Sequence, residues 1–122
     1  MKRLLRAFAA ICAFIVTTSA AGEDVVSKPA LKCEIGPVAK KYGSTQWLAY
    51  SCDDERTIVI VSAPGNPATP FYFTFSWRDG RYQLSGEGTG RKDVTNAAYN
   101  HLKTLSESDI TAIIEQTKAQ RN

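Results

Sequence analysis

The chain has 122 residues, of which 43% are hydrophobic and 22% charged, as expected for one globular domain. Its 15 basic and 12 acidic side chains give a formal net charge of +3. Three basic residues, Lys2, Arg3 and Arg6, lie at the N-terminus, and without them the chain carries 12 charges of each sign. A neutral chain with no basic stripe lacks the electrostatic footprint of a nucleic-acid-binding protein, so we expect no nucleic-acid partner.

Residues 1–21 have the pattern of a secretory signal peptide. The basic residues precede an apolar run at residues 7–16, and small residues follow as far as Ala21. The run is shorter than the roughly 20 residues of a membrane-spanning helix, so we expect no permanent membrane anchor. We predict cleavage near Ala20 or Ala21 and a periplasmic or secreted protein. Residues 22–122 are then a single α+β domain that begins with a flexible arm at residues 22–30.

Two cysteines, Cys33 and Cys52, remain after the predicted cleavage. In an oxidising compartment an even pair predicts a structural disulfide, which would stabilise the fold by roughly 3 kcal/mol. The alternatives are a redox pair, which usually has Cys-x-x-Cys spacing, and a metal site, which needs more ligands than the single histidine can add. We therefore expect no metal and no cofactor.

The first half of the domain is predicted to contain short strands. Residues 31–35 are assigned to a short strand that carries Cys33, and residues 37–42 to a helical turn or an ordered loop. Residues 46–52 and 57–62 are rich in aromatic and β-branched side chains on both faces and flank a polar turn, which predicts a central hairpin. The proline-rich residues 63–70 cannot continue a strand and are predicted to form a loop.

A second hairpin is predicted with its register. Residues 71–78 alternate strictly between apolar and polar side chains, and Asp79-Gly80 is a two-residue turn signal. This register pairs apolar with apolar and polar with polar positions. The expected pairs are Trp77 with Tyr82, Phe75 with Leu84, Phe73 with Gly86, Ser76 with Gln83 and Thr74 with Ser85.

Two helices are predicted after a glycine-rich segment at residues 86–90 that ends the sheet. Asp93 or Thr95 is expected to cap a helix that continues to about Leu105. Residues 106–109 resemble a capping box, and a second apolar stripe follows it at Ile110, Ile113, Ile114 and Thr117. The predicted fold class is α+β: an antiparallel β-meander of about four strands, two C-terminal helices packed on its Phe/Trp face, and one disulfide.

The candidate catalytic and ligand-binding motifs each have a simpler explanation. Residues 86–92 resemble a phosphate loop but match no phosphate-binding spacing, so a flexible connector is favoured. His101 has no identifiable nucleophile or orienting acid. The carboxylates of residues 53–55 lack calcium-loop spacing and are expected to form a solvated hairpin tip. We expect no catalytic residue and no metal ligand.

The preferred function is a non-catalytic binding module, an inhibitor or an envelope accessory, whose partner is a protein or an envelope component. Tyr72, Arg78 and Arg81 are the candidate binding surface, because tyrosine and arginine are enriched at interfaces. The competing interpretation is that Tyr72 packs under a loop and the arginines bracket Asp79. The alternative function is a small carboxylate-dependent hydrolase or carbohydrate-binding domain that uses Glu87, Asp93 or Asp53.

Residues 50–61 (YSCDDERTIVIV) resemble the opening hairpin of the periplasmic C-type lysozyme inhibitors, in which a strand with Tyr-x-Cys precedes a polar turn. The resemblance implies a β-barrel with a Ser-Gly-x-x-Tyr loop. Here Ser85-Gly86 is followed by other residues at positions 87–89, and two helices are predicted at the end of the chain. We therefore assign the chain to no family.

Overall fold

The computed structural model describes residues 30–120. The predicted signal peptide, its cleavage point and residues 22–29 of the predicted arm lie outside the described residues. The described elements are β1 (Ile35–Tyr42), β2 (Thr45–Ser51), β3 (Ile58–Ser62), β4 (Phe71–Arg78), β5 (Arg81–Gly88), α1 (Lys92–Leu102) and α2 (Glu107–Ala119). The strands form one antiparallel sheet in the order β1-β2-β3-β4-β5. This confirms the predicted α+β meander, with five strands described where about four were expected.

The first strand differs from the prediction. Residues 31–34 form no strand, and the segment predicted as a helical turn is part of β1. A two-residue turn, Gly43-Ser44, joins β1 to β2. Both residues have positive φ, at 58° and 71°, as tight hairpin turns of this length require. Pro37 lies where the register of β1 shifts between Ile35 and Val38, at an irregularity that tolerates its missing N–H.

The predicted disulfide is confirmed. Cys33 and Cys52 are bonded with a sulfur–sulfur distance of 1.98 Å, and Cys52 is fully buried. The bond attaches the segment before β1 to the residue after β2. A backbone hydrogen bond of 2.9 Å from Asp53 to the Lys32 carbonyl lies beside it, so covalent and hydrogen bonds hold this corner together.

Both predicted hairpins are present. β2 and β3 pair from Trp47↔Ser62 to Ser51↔Ile58 and lie inside the sheet as expected. β4 and β5 pair in the predicted register around Asp79 and Gly80, whose φ values of 52° and 80° suit the turn. The sheet does not end at Gly86, however. β5 continues to Gly88, which pairs with Phe71.

The helix boundaries are partly as predicted. Arg91 is the N-cap residue of α1 and makes no side-chain cap, so neither Asp93 nor Thr95 caps the helix, and α1 ends at Leu102 rather than Leu105. The capping box of α2 is confirmed. The Ser106 hydroxyl accepts from the Asp109 N–H at 3.1 Å, and the Asp109 carboxylate accepts from the Ser106 N–H at 2.8 Å.

The core lies between one face of the sheet and the two helices, which confirms packing on the Phe/Trp face. Phe73 and Phe75 belong to the same buried cluster as residues of both helices, while Trp77 is only half-buried and has the Arg56 guanidinium 4.4 Å from its ring centroid. The largest fully buried apolar side chains are Trp47, Phe73, Ile58, Ile60, Leu102 and Ile110. Neither helix within residues 30–120 has both the length and the apolar character that crossing a bilayer requires.

Candidate functional site

One apolar surface of the sheet faces away from the helices. Side chains alternate along each strand, so the buried residues of β2, β3 and β4 face the helices and their neighbours face outward. No helix within residues 30–120 covers this second face. We call its apolar side chains the outer patch, which consists of Leu48, Tyr50, Val59, Val61 and Tyr72.

Cross-strand pairing makes the outer patch continuous. Leu48 pairs with Val61, and Val61 pairs with Tyr72, which gives an unbroken row across three strands. Beside it, Tyr50 pairs with Val59. Directly paired side chains in a sheet lie within contact distance of each other. The patch is therefore one surface, half-buried at four residues and 41% exposed at Tyr72.

The patch leads into an open groove of about 650 Å³ between the sheet and the proline-rich loop. The groove is lined by Val59, Val61, Ser62, Thr69, Pro70, Phe71, Tyr72, Glu87 and Gly88. Asn66 holds the loop in place, because its side-chain amide donates to the Gln46 carbonyl at 2.6 Å and its side-chain oxygen accepts from the Ala68 N–H at 2.8 Å. One wall of the groove is thus a fixed loop.

Tyr72 supplies a polar group at the edge of this apolar surface. Its hydroxyl donates to the Glu87 carboxylate at 2.8 Å. This hydrogen bond and the charge of Glu87 raise the pKa of Tyr72 above its ordinary value. The hydrogen bond fixes the hydroxyl end of Tyr72, and the residue is 41% exposed.

The two predicted arginines lie at the other end of β4. Arg78 and Arg81 pair with each other across the Asp79-Gly80 turn, and both are exposed. Tyr72 lies six residues before Arg78 on β4, a distance of roughly 20 Å at the usual rise of a strand. Within one chain, the candidate binding residues therefore occupy two separate places.

The single histidine connects a helix to the sheet. The Nδ1 atom of His101 accepts from the Gly43 N–H at 3.2 Å, and its ring packs edge-on against Tyr42 with centroids 5.1 Å apart. Burial raises the pKa of Tyr42 to about 12. His101 thus docks α1 on the β1–β2 turn. This contact is not predictable from the sequence without that turn, which the residues before β2 do not indicate.

The candidate carboxylates each have a local partner. Glu87 accepts from Tyr72, Asp53 accepts from the Lys32 N–H at 3.3 Å, and Asp93 makes two hydrogen bonds of 3.0 and 2.6 Å with Arg91. The bonds from Arg91 hold the pKa of Asp93 below its ordinary value, the opposite of what a general acid needs. Asp93 is thus part of an ion pair, Asp53 anchors the segment before β1, and Glu87 links β5 to β4 through Tyr72.

The glycine-rich segment has a packing role. A Cβ atom on Gly88 would collide with the Pro70 carbonyl, and one on Gly90 would collide with the Ala68 carbonyl. Thr89 also donates to Pro70 at 3.1 Å. The glycines therefore allow this segment to lie directly against the loop at residues 63–70.

The acidic turn after β2 is also occupied by protein contacts. Asp54 accepts from the Arg56 and Thr57 N–H groups at 3.0 and 2.9 Å, and Glu55 pairs with Lys118 at 3.1 Å. In the part of the chain from residue 30 to 120, no group of three or more histidine, cysteine, aspartate and glutamate side chains is placed to hold a metal ion.

Comparison with known proteins yields no relative from which a function can be transferred. No protein-family model matches the chain, and no curated protein and no solved structure is significantly similar to it.

Proposed function

We propose that this protein acts outside the cytoplasm as a non-catalytic binding module, and that the outer patch contacts a protein partner. The observation that carries the proposal is the continuous row of Leu48, Val61 and Tyr72 on a sheet face that no described helix covers. Contiguous exposed apolar surface of this kind is a common mark of an interaction site.

The location outside the cytoplasm is supported by two features. The N-terminal residues have the order of a signal peptide. The Cys33–Cys52 disulfide is of a kind that persists in oxidising compartments. The disulfide also supports binding by the outer patch, because it fixes the end of β2, the strand that carries Leu48 and Tyr50.

A protein surface fits the patch better than a small molecule does. The groove is open along the sheet rather than enclosed, whereas small-molecule sites usually surround most of the ligand. Its side chains are mainly aliphatic and aromatic, and Tyr72 adds a ring with a polar end, a residue type enriched where proteins meet. Binding is favoured over carboxylate chemistry because Glu87, Asp93 and Asp53 each hold a different local partner.

Site-specific photo-cross-linking in living cells tests the proposal. A benzophenone amino acid replaces Tyr72 in one strain and Tyr99 in another. The two tyrosines are 41% and 40% exposed but lie on opposite sides of the molecule, Tyr72 on the outer face and Tyr99 on α1. We expect a discrete cross-linked product from position 72 and not from position 99.

A second arm separates specific docking from random collision. Val61→Lys places a charge in the middle of the patch, and Thr111→Lys places one on the exposed side of α2. The cross-link from position 72 should disappear with Val61→Lys and persist with Thr111→Lys. Equal products from positions 72 and 99, or a product that survives Val61→Lys, would contradict the proposal.

A further inference from the structure

We propose that the protein forms a symmetric homodimer in which β5 pairs antiparallel with β5 of a second copy, with Leu84 on the two-fold axis. β5 is the last strand of the sheet and pairs only with β4 among the described strands. An unpaired strand edge presents a row of free N–H and C=O groups that another strand can join. This inference does not depend on the proposed function.

The two edges of the sheet differ in how well they accept another strand. β1 contains Pro37, which has no N–H, and a register shift between Ile35 and Val38. Both features are usual ways of blocking an edge. β5 contains no proline, and its pairing with β4 runs without a shift from Arg81 to Gly88. Of the two edges of the described sheet, β5 is therefore the one better suited to accept another strand.

The hairpin geometry determines which groups of β5 are free. Residues that flank a two-residue turn exchange hydrogen bonds, and such pairs alternate along an antiparallel ladder. Arg81, Gln83, Ser85 and Glu87 therefore bond to β4. The N–H and C=O groups of Tyr82, Leu84 and Gly86 point away from the sheet and are available to a second strand.

The side chains of β5 are self-complementary in one register. If Leu84 lies opposite the partner's Leu84, then Arg81 lies opposite the partner's Glu87, and Gln83 lies opposite the partner's Ser85. The symmetry places two ion pairs on the outer face, one at each end of the paired segment. Arg81 and Glu87 are both exposed in the described chain, so both are accessible to a second copy.

Neighbouring registers are less favourable. Moving the axis to Gln83 places Asp79 opposite the partner's Glu87, which brings like charges together. Moving it to Ser85 places Gln83 opposite the partner's Glu87 and leaves Arg81 opposite the partner's Thr89. Only the register centred on Leu84 pairs opposite charges, so charge complementarity selects it.

The helix side of the interface has an apolar floor and a charged rim, where Lys103 and Glu107 also line the groove described next. Tyr82 and Leu84 are half-buried and line a groove of about 380 Å³ together with Phe75, Leu105 and Ile110. A two-fold axis perpendicular to the sheet keeps the helices of both copies on the same side, so the two grooves meet at the axis. Leu84 then contacts the partner's Leu84. Tyr82 keeps its own contacts, because its hydroxyl donates to the Arg56 carbonyl at 2.8 Å, and it lies opposite the partner's Gly86, which adds no side chain to crowd it.

The paired edge contains about six hydrogen bonds and a small apolar contact. An interface of this size falls at the low end of specific complexes, so we expect a dimer with a dissociation constant on the order of micromolar. The two outer patches then lie on the same face of one continuous sheet.

Sedimentation velocity over a range of concentrations tests the dimer, using the purified protein with its disulfide intact. We expect dimer formation with the unchanged chain and about tenfold weaker association for Arg81→Glu, because two attractive pairs become repulsive. Glu87→Arg should weaken it similarly, and the double variant R81E/E87R should restore it. Arg78→Glu is the matched control, since this exposed arginine flanks the same turn but belongs to β4.

Circular dichroism confirms that each variant is folded before its association is compared. A protein that stays monomeric up to about millimolar concentration, far above the expected range, would overturn the proposal. So would a dimer that Arg81→Glu leaves unchanged, or one that Arg78→Glu weakens as much as Arg81→Glu does. In the last two cases the copies would associate through another surface.

Discussion

A buried chain of hydrogen bonds joins the sheet to α2. Ser51 and Thr117 are fully buried, and their hydroxyl oxygens lie 2.6 Å apart. The Thr117 hydroxyl also lies 2.6 Å from the Ile114 carbonyl, which can only accept. Since a hydroxyl carries one proton, Thr117 donates to Ile114 and Ser51 donates to Thr117. This direction makes the two hydroxyls unequal in their contribution to stability.

We expect Thr117→Val to lower the free energy of unfolding by about 2 kcal/mol, because it leaves the Ser51 hydroxyl buried without an acceptor. Ser51→Ala should cost about 1 kcal/mol, because Thr117 keeps its bond to Ile114. In the double variant neither polar group is left unpaired. Its loss of stability should therefore be smaller than the sum of the single losses by at least about 1 kcal/mol.

Urea unfolding followed by tryptophan fluorescence, to which the buried Trp47 contributes, measures these free energies. The control cycle combines Ser51→Ala with Thr111→Val, because Thr111 is exposed on α2 and donates to the Glu107 carbonyl. Those two losses should add within about 0.5 kcal/mol. If the losses of unfolding free energy for Ser51→Ala and Thr117→Val also added within about 0.5 kcal/mol, the coupling inferred from the 2.6 Å contact would be refuted.

Three further outcomes are expected. Reducing the Cys33–Cys52 disulfide should lower the free energy of unfolding by roughly 3 kcal/mol, and equal urea midpoints with and without reductant would contradict this. Gly90→Ala should cost more than about 2 kcal/mol because its Cβ would collide with the Ala68 carbonyl, and an unchanged thermal midpoint would show that the loop yields instead. The free energy of unfolding should fall as the pH drops below about 4, because the pKa of Asp54 is lower in the folded state than in the unfolded chain. Partial burial acts to raise this pKa, but the hydrogen bonds from Thr57 and Arg56 lower it by more. The stabilisation by Asp54 is complete above the pKa that this residue has in the unfolded chain, and it is lost as the pH falls through its pKa in the folded protein. The thermal midpoint of Asp54→Asn should therefore vary less with pH than that of the unchanged protein.

The register of the β4–β5 hairpin could be predicted because two independent signals agree, although β5 continues two residues beyond the predicted end. The alternation from Phe71 to Arg78 assigns each side chain to a face, and the Asp79-Gly80 turn fixes the register. The capping box of α2 was predictable for the same reason, since Ser106 and Asp109 have the required spacing directly before an apolar stripe. Where turn chemistry and periodicity coincide, local sequence specifies local structure.

β1 could not be predicted because its local signals conflict with its pairing. Gly36 and Pro37 are residues that end strands, and Gly43 was interpreted as a helix stop. In the structure Pro37 lies at a register shift, and Gly43 with Ser44 forms the turn that pairs β1 with β2. Pairing with β2 thus outweighs the local tendency of Gly36, Pro37 and Gly43 to end a strand. The contact of His101 with Gly43 depends on the turn that this pairing creates.

The outer patch was missed for a different reason. The apolar residues on both faces of β2 and β3 predict a central position in the sheet, which the structure confirms, but they do not show which of the two faces the helices cover. The two helices pack on one face, where Trp47 and Ile60 are buried, and leave Leu48 and Val61 half-buried on the other. The number of predicted helices could have indicated the exposed face, because two short helices cannot cover both faces of a sheet. The β5 edge likewise depends on strand order, which periodicity alone does not determine.

The strand order has a consequence for how the chain acquires its structure. Each described strand pairs with its neighbour in sequence, so every pairing closes a short loop and is fast to form. A chain that emerges N-terminus first has all five of these strands before residue 92, while α1 and α2 come last. During that interval Phe73 and Phe75 lack the helical side chains that later bury them. The two helices therefore end the period in which the nascent sheet is most prone to aggregate.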